Sequence, residues 1–153
     1  MKIKLTVFAL SLLAISSVAQ AQNSRTDLYG SRSDGSSIYG SCQQWGSSSS
    51  CNLYGSDGTS MRGSAQRFGP LTFYNITDNN GSSLWGSCQR LGSSTFYNLY
   101  GSDGGSIYGS SNRLGSSSYY HFYSSDGSWI NGSATQYGSS VYDFSTLYPS
   151  RRR

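Results

Sequence analysis

The stretch "NLYGSDGTSMRGSAQRFGPLTFY" (52–74) is followed by "NITDNNGSSLWGSCQRLGSSTFY" (75–97), "NLYGSDGGSIYGSSNRLGSSSYY" (98–120) and "HFYSSDGSWINGSATQYGSSVYD" (121–143). The four align without a gap at a period of 23 residues. A fifth copy, "DLYGSRSDGSSIYGSCQQWGSSSSC" from Asp27, joins them if two residues are inserted in its first turn. Gly/Ser-rich composition alone would suit a disordered segment. Filler has no reason to hold apolar positions in register over five copies, whereas a fixed period is the signature of a repeating fold.

Each copy carries turn chemistry at two places. The first is Ser-Asp-Gly, with Asp57-Gly58, Asp103-Gly104 and Asp126-Gly127 as structural turn residues. It suits a three-residue hairpin loop whose Gly takes the left-handed conformation. The second is Gly-Ser or Gly-Pro, at Gly46-Ser47, Gly69-Pro70, Gly92-Ser93, Gly115-Ser116 and Gly138-Ser139. Gly at the first central position is what a two-residue type II′ turn requires, and Pro70 fits its second position. A repeat is then two short strands, and the chain reads as an up-and-down meander of ten or eleven. The loops set Leu53 opposite Met61, Ile76 opposite Leu84, Leu99 opposite Ile107 and Phe122 opposite Ile130.

Period-two alternation sorts the faces. One face holds those apolar pairs, a glycine in every copy (Gly40, Gly63, Gly86, Gly109, Gly132), a small residue (Cys42, Ala65, Cys88, Ser111, Ala134) and Tyr74, Tyr97 and Tyr120. Large beside small on one surface fills a tight interior. The other face carries Tyr29, Tyr54, Tyr100 and Tyr123, the Tyr39/Trp85/Tyr108 position, serines, and the amides Gln43, Gln66, Gln89 and Asn112. Phe68, Phe73, Leu91 and Phe96 also fall on it, which implies that something covers part of it.

The N-terminus, "MKIKLTVFALSLLAISSVAQAQ", has Lys2 and Lys4, an apolar run from Leu5 to Val18, and Ala19-Gln20-Ala21. This is the pattern of a cleaved export signal over 1–21. The run is too short to span a bilayer, and no second apolar run follows, so no transmembrane segment is expected after cleavage. The destination is the bacterial periplasm or the cell surface. A single β domain over 22–148, with repeats starting near 27, 52, 75, 98 and 121, precedes a basic tail over 149–153. The signal takes both lysines with it, and three of the nine arginines form the tail Arg151-Arg152-Arg153. The body between them is nearly neutral, which argues against nucleic acid, whose phosphates demand a basic surface.

The Gly46-Ser47 turn places Cys42 directly opposite Cys51, a disulfide candidate in an oxidising compartment, with Cys88 left over. Catalysis needs a base positioned beside a nucleophile. The chain offers His121 in a slot otherwise held by Asn, no glutamate, and aspartates that mostly occupy turns, so no catalytic residue and no cofactor is expected. The Asp-Gly turns lack the closely spaced carboxylates of calcium loops, so no metal is expected either. Arg67, Arg90 and Arg113 share one position beside the Gly-Ser turn. They form a solubilising rim, or a stripe of guanidinium groups for a lipid head group, phosphate or acidic glycan.

The two-hairpin units built from "Y-x-S-D-G", an apolar residue and "G-S" resemble the repeats of the β-flower proteins, bacterial and often exported chains that close short hairpins radially into a shallow barrel. That resemblance implies an all-β, five-fold, shallow radial up-and-down barrel; a β-solenoid stack is the alternative. In size, signal and repeat count the chain also resembles curlin, though only Gln43, Gln66 and Gln89 recur where curlin has a full Gln/Asn ladder. That second likeness implies self-association into an amyloid-like extracellular fibre. The expected function is a non-catalytic structural or binding module of the cell envelope. Its ligand would be a glycan, a lipid head group or another envelope component, and its candidate ligand-facing residues are Tyr54, Tyr100, Tyr123, Trp85, Tyr108, Arg67, Arg90 and Arg113.

Overall fold

A computed structural model describes residues 24–33 and 35–149. The expected export signal and the Arg151–Arg153 tail lie outside the described residues. Eleven strands follow in chain order: β1 (Arg25–Arg32), β2 (Ser37–Trp45), β3 (Ser48–Gly55), β4 (Ser60–Phe68), β5 (Leu71–Asp78), β6 (Ser83–Leu91), β7 (Ser94–Gly101), β8 (Ser106–Leu114), β9 (Ser117–Ser124), β10 (Trp129–Tyr137) and β11 (Ser140–Tyr148). Each pairs antiparallel with the next, and β1 pairs with β11 to close the barrel. The seam is parallel, Leu28 beside Val141 and Tyr29 beside Tyr142. An odd number of alternating strands leaves the first and last running the same way, so closure has no antiparallel option. The chain therefore forms the expected up-and-down barrel and not the alternative open stack.

Both turn types form where their chemistry puts them. Gly58 (φ 82°), Gly104 (81°) and Gly127 (83°) are left-handed, and each glycine N–H donates to the carbonyl three residues back, as Gly58 does to Gly55 at 3.1 Å. At the other end Trp45 pairs with Ser48, Phe68 with Leu71, Leu91 with Ser94, Leu114 with Ser117 and Tyr137 with Ser140, leaving two-residue turns. The four apolar pairs meet in the expected register.

The two extra residues of the first copy lengthen its hairpin ladder, so Leu28 lies opposite Gly40 and Tyr29 opposite Tyr39. The barrel thus has two unlike ends. The Ser-Asp-Gly loops and the C-terminus of β11 lie at one, and the Gly-Ser turns and the start of β1 at the other.

The core is the expected inner face: Leu53, Ile76, Leu99, Phe122 and Ile130 are buried, with Tyr74, Tyr97 and Tyr120 among them. The waist glycines let neighbouring strands close up. A Cβ on Gly109 would stand 2.3 Å from the His121 carbonyl oxygen and 2.8 Å from the Phe122 Cα. Burying these side chains supplies the main drive for closure, at roughly 25 cal/mol per Å² of apolar surface.

Candidate functional site

Polar groups that reach the interior satisfy one another. Cys42 and Cys51 lie opposite each other with Cα atoms 4.0 Å apart and form the disulfide. In the next copies the equivalent of Cys51 is tyrosine, which reaches the small position of the following strand. The Tyr74 hydroxyl meets Cys88 Sγ at 3.4 Å and the Tyr97 hydroxyl meets Ser111 Oγ at 3.1 Å. Ala134 has no polar atom to offer, so Tyr120 reaches over Gly132 to donate to Asp143 on β11. Burial pushes the Cys88 thiol above its ordinary pKa of 9.0, against smaller opposing effects of hydrogen bonds with Tyr74 and Thr72. Such a thiol is a poor nucleophile.

The outer tyrosines are brought together by register. Tyr39 stacks on Tyr54 at 5.6 Å between ring centroids, and Tyr29 stacks on Tyr142 at 5.5 Å. Because Tyr29 also faces Tyr39, one aromatic row runs Tyr142–Tyr29–Tyr39–Tyr54 from β11 across the seam to β3. A second row runs Tyr108–Tyr123–Trp129–Tyr148 over β8 to β11. Tyr108 stacks on Tyr123 at 5.6 Å, and Trp129 lies parallel to Tyr148 at 3.6 Å and 5°. His121 sets its edge against Tyr123 at 4.4 Å and lies 5.5 Å from Trp129. Asn131, two residues beyond Trp129 on the same face, buries an Oδ1 with no hydrogen-bond partner among the described residues. Trp85 and Tyr100 face each other as a separate pair, and the Tyr100 hydroxyl accepts from Asn98 Nδ2 at 3.1 Å.

Trp129, Tyr148, His121 and Asn131 are absent from the residues expected to face a ligand. A signal for them was present: Trp129 replaces the serine of the other copies, and counting outward from the Gly138-Ser139 turn sets it opposite Tyr148.

The arginines are not part of this surface. Alternation from Met61, Leu84 and Ile107 puts Arg67, Arg90 and Arg113 on the inner side of their strands, at the mouth ringed by Gly-Ser turns. Arg90 Nε donates to the Gly92 carbonyl at 3.2 Å and Arg113 Nε to that of Gly115 at 3.0 Å, which holds both at the rim. A cleft between Arg67 and Arg90 descends past Thr72 and Thr95 to Tyr74, Cys88 and Tyr97.

At the opposite end Asp57, Asp103 and Asp126 each accept the backbone N–H two residues on, from Thr59 (3.0 Å), Gly105 (2.9 Å) and Ser128 (2.9 Å). Among the described residues no three of His, Cys, Asp and Glu come together as metal ligands. Phe68, Phe73, Leu91 and Phe96, expected to be partly covered, are all exposed in the barrel.

Comparison with known families, curated proteins and solved structures finds no match to this chain.

Proposed function

We propose that the chain is a non-catalytic, exported binding module of the bacterial envelope, and that its ligand is a glycan held on the outer strip over β8 to β11. The observation that carries this reading is the Trp129–Tyr148 stack continued by Tyr123 and Tyr108, with the His121 ring set against it. Flat aromatic rings bring large contact area at small entropic cost, and a sugar face lies against such rings while its hydroxyls seek acceptors. His121 and Asn98 supply further polar groups along the same rows.

The likeness to β-flower proteins belongs to this proposal, supported by five two-stranded repeats in a closed ring. The self-assembling reading is weaker, because stacking of strands needs an unpaired edge and closure leaves none along the sheet. A glycan array followed by calorimetry tests the module. Binding should fall with Trp129→Ala or Tyr148→Ala and persist with Trp45→Ala. An array signal no higher than that of a serine-rich control protein sinks the reading.

A further inference from the structure

Each of the five two-residue turns is preceded by a large apolar residue: Trp45, Phe68, Leu91, Leu114 and Tyr137. All five are exposed, between 53% and 74%. They crown one end of the barrel, where the outer flank also exposes Leu71, Phe73 and Phe96. Nothing in the fold needs this. The turns are made by their glycines, and the core is complete without the tips. Phe68 meets Phe73 and Tyr137 meets Tyr142 edge-on, so two of the tips continue into the outer flank, and exposed apolar surface gathered in this way marks an interaction site.

The charge around the crown is one-sided. Arg67, Arg90 and Arg113 sit directly behind three of the tips, whereas the loop aspartates Asp57, Asp103 and Asp126 are all at the far end. Asp27, the acid nearest the crown, is paired with Arg25 at 3.0 Å. Asp143 is buried and accepts from Tyr120.

We propose that this end is a membrane-docking face that seats on an anionic phospholipid surface. The tips enter the interface, and the arginines behind them meet the phosphates. Phe, Leu, Trp and Tyr projecting from rigid turns suit the boundary between head group and acyl chain, and basic side chains add the preference for anionic lipid. A second copy set crown to crown would oppose like charges, and a copy set crown to far end would bury apolar tips against polar Ser-Asp-Gly loops.

The barrel rests on the bilayer without crossing it. Spanning barrels are apolar outside and polar within, while here the outer waist carries Ser64, Asn75, Ser87 and Asn98 and the interior is mainly apolar, its few polar groups bonded to one another. This docking is independent of glycan binding on β8 to β11.

The test uses vesicles of phosphatidylcholine with and without phosphatidylglycerol. A Trp85→Phe/Trp129→Phe variant leaves Trp45 as reporter, and Trp45→Phe/Trp85→Phe leaves Trp129. Emission from Trp45 should shift to the blue on phosphatidylglycerol vesicles and be quenched by brominated lipid, while Trp129 should not respond. Leu91→Ser/Leu114→Ser, at exposed sites that leave the fold intact by circular dichroism, should lower partitioning at least about tenfold. Arg67→Gln, Arg90→Gln and Arg113→Gln should each remove roughly fivefold of the preference for anionic vesicles. The proposal is overturned by absence of partitioning, by quenching of Trp129 instead of Trp45, or by partitioning that survives the leucine changes. It is equally overturned by an end-to-end dimer that the leucine changes dissolve while vesicles go unbound.

Discussion

The two ends of the barrel make hairpins by different means. At the Ser-Asp-Gly end a carboxylate takes part: Asp57, Asp103 and Asp126 accept N–H groups of their own loops, so their charge is engaged in shaping the backbone. A glycine at positive φ serves both ends, but at the Gly-Ser end no carboxylate joins it in making the turn. Gln44, Arg90, Arg113 and Gln136 each donate to the turn glycine's carbonyl, while the apolar tips point outward. One end thereby engages its charges within its own loops, while the other leaves five apolar side chains exposed.

The largest effect is expected where the ends share a waist. Gly109→Val would drive a branched side chain into the His121 carbonyl and Phe122, so a loss of about 3 kcal/mol or more in urea unfolding is expected. Next comes the Cys42–Cys51 bridge, whose short loop should contribute about 2–3 kcal/mol by restricting the unfolded chain. It lies four residues from the Gly46-Ser47 turn, so reduction should speed amide exchange at the Gly-Ser end before the other. Thiol counting should find one thiol, Cys88, reactive only after unfolding.

Much of this was legible in advance, for a physical reason. A gap-free period with two fixed turns determines the antiparallel registers of the last four copies, and with them their apolar pairs, the inner face and the opposition of Cys42 to Cys51. In the first copy, with its two extra residues, the repeat would pair Leu28 with Ile38, but they lie opposite Gly40 and Gly30. The repeat is silent where copies differ or the chain leaves it. The seam between β1 and β11 depends on an eleventh strand that belongs to no whole repeat. Tyr120 turns to Asp143 because the strand that it faces has alanine, Ala134, at the small position. The lengthened first ladder aligns Tyr29 with Tyr39, an alignment no other hairpin shows. The inward placement of Arg67, Arg90 and Arg113 follows from the same alternation that sorted the apolar faces, yet it separates them from the tyrosines with which they were grouped.

Gly104→Ala and Gly115→Ala should cost about the same, roughly 1 kcal/mol each. Both glycines are left-handed with open space around the missing Cβ, so only backbone strain enters. Unequal costs by thermal melting would show that one end's turn does more than shape the chain.

The smallest effect is confined to the aspartate end. Burial raises the Asp126 pKa, but hydrogen bonds from the Ser128 side chain and backbone and from Ser124 outweigh it, leaving the group below its ordinary 3.8. Its contribution is therefore present above that value and lost as pH falls through the lower, folded pKa. The group is mostly solvent-exposed, so Asp126→Asn should flatten the acid limb by less than about 0.5 kcal/mol.

Both ends exist as rings only if the sheet closes. Nuclear magnetic resonance reads the seam directly, through contacts of Leu28 and Tyr29 with Val141 and Tyr142 and through exchange of the Asp27 amide, which donates to the Ser139 carbonyl at 2.9 Å. A closed barrel predicts cross-strand Overhauser effects between these pairs and a protected Asp27 amide. Their absence, with fast exchange along β1 and β11, would mean an open sheet and contradict the account.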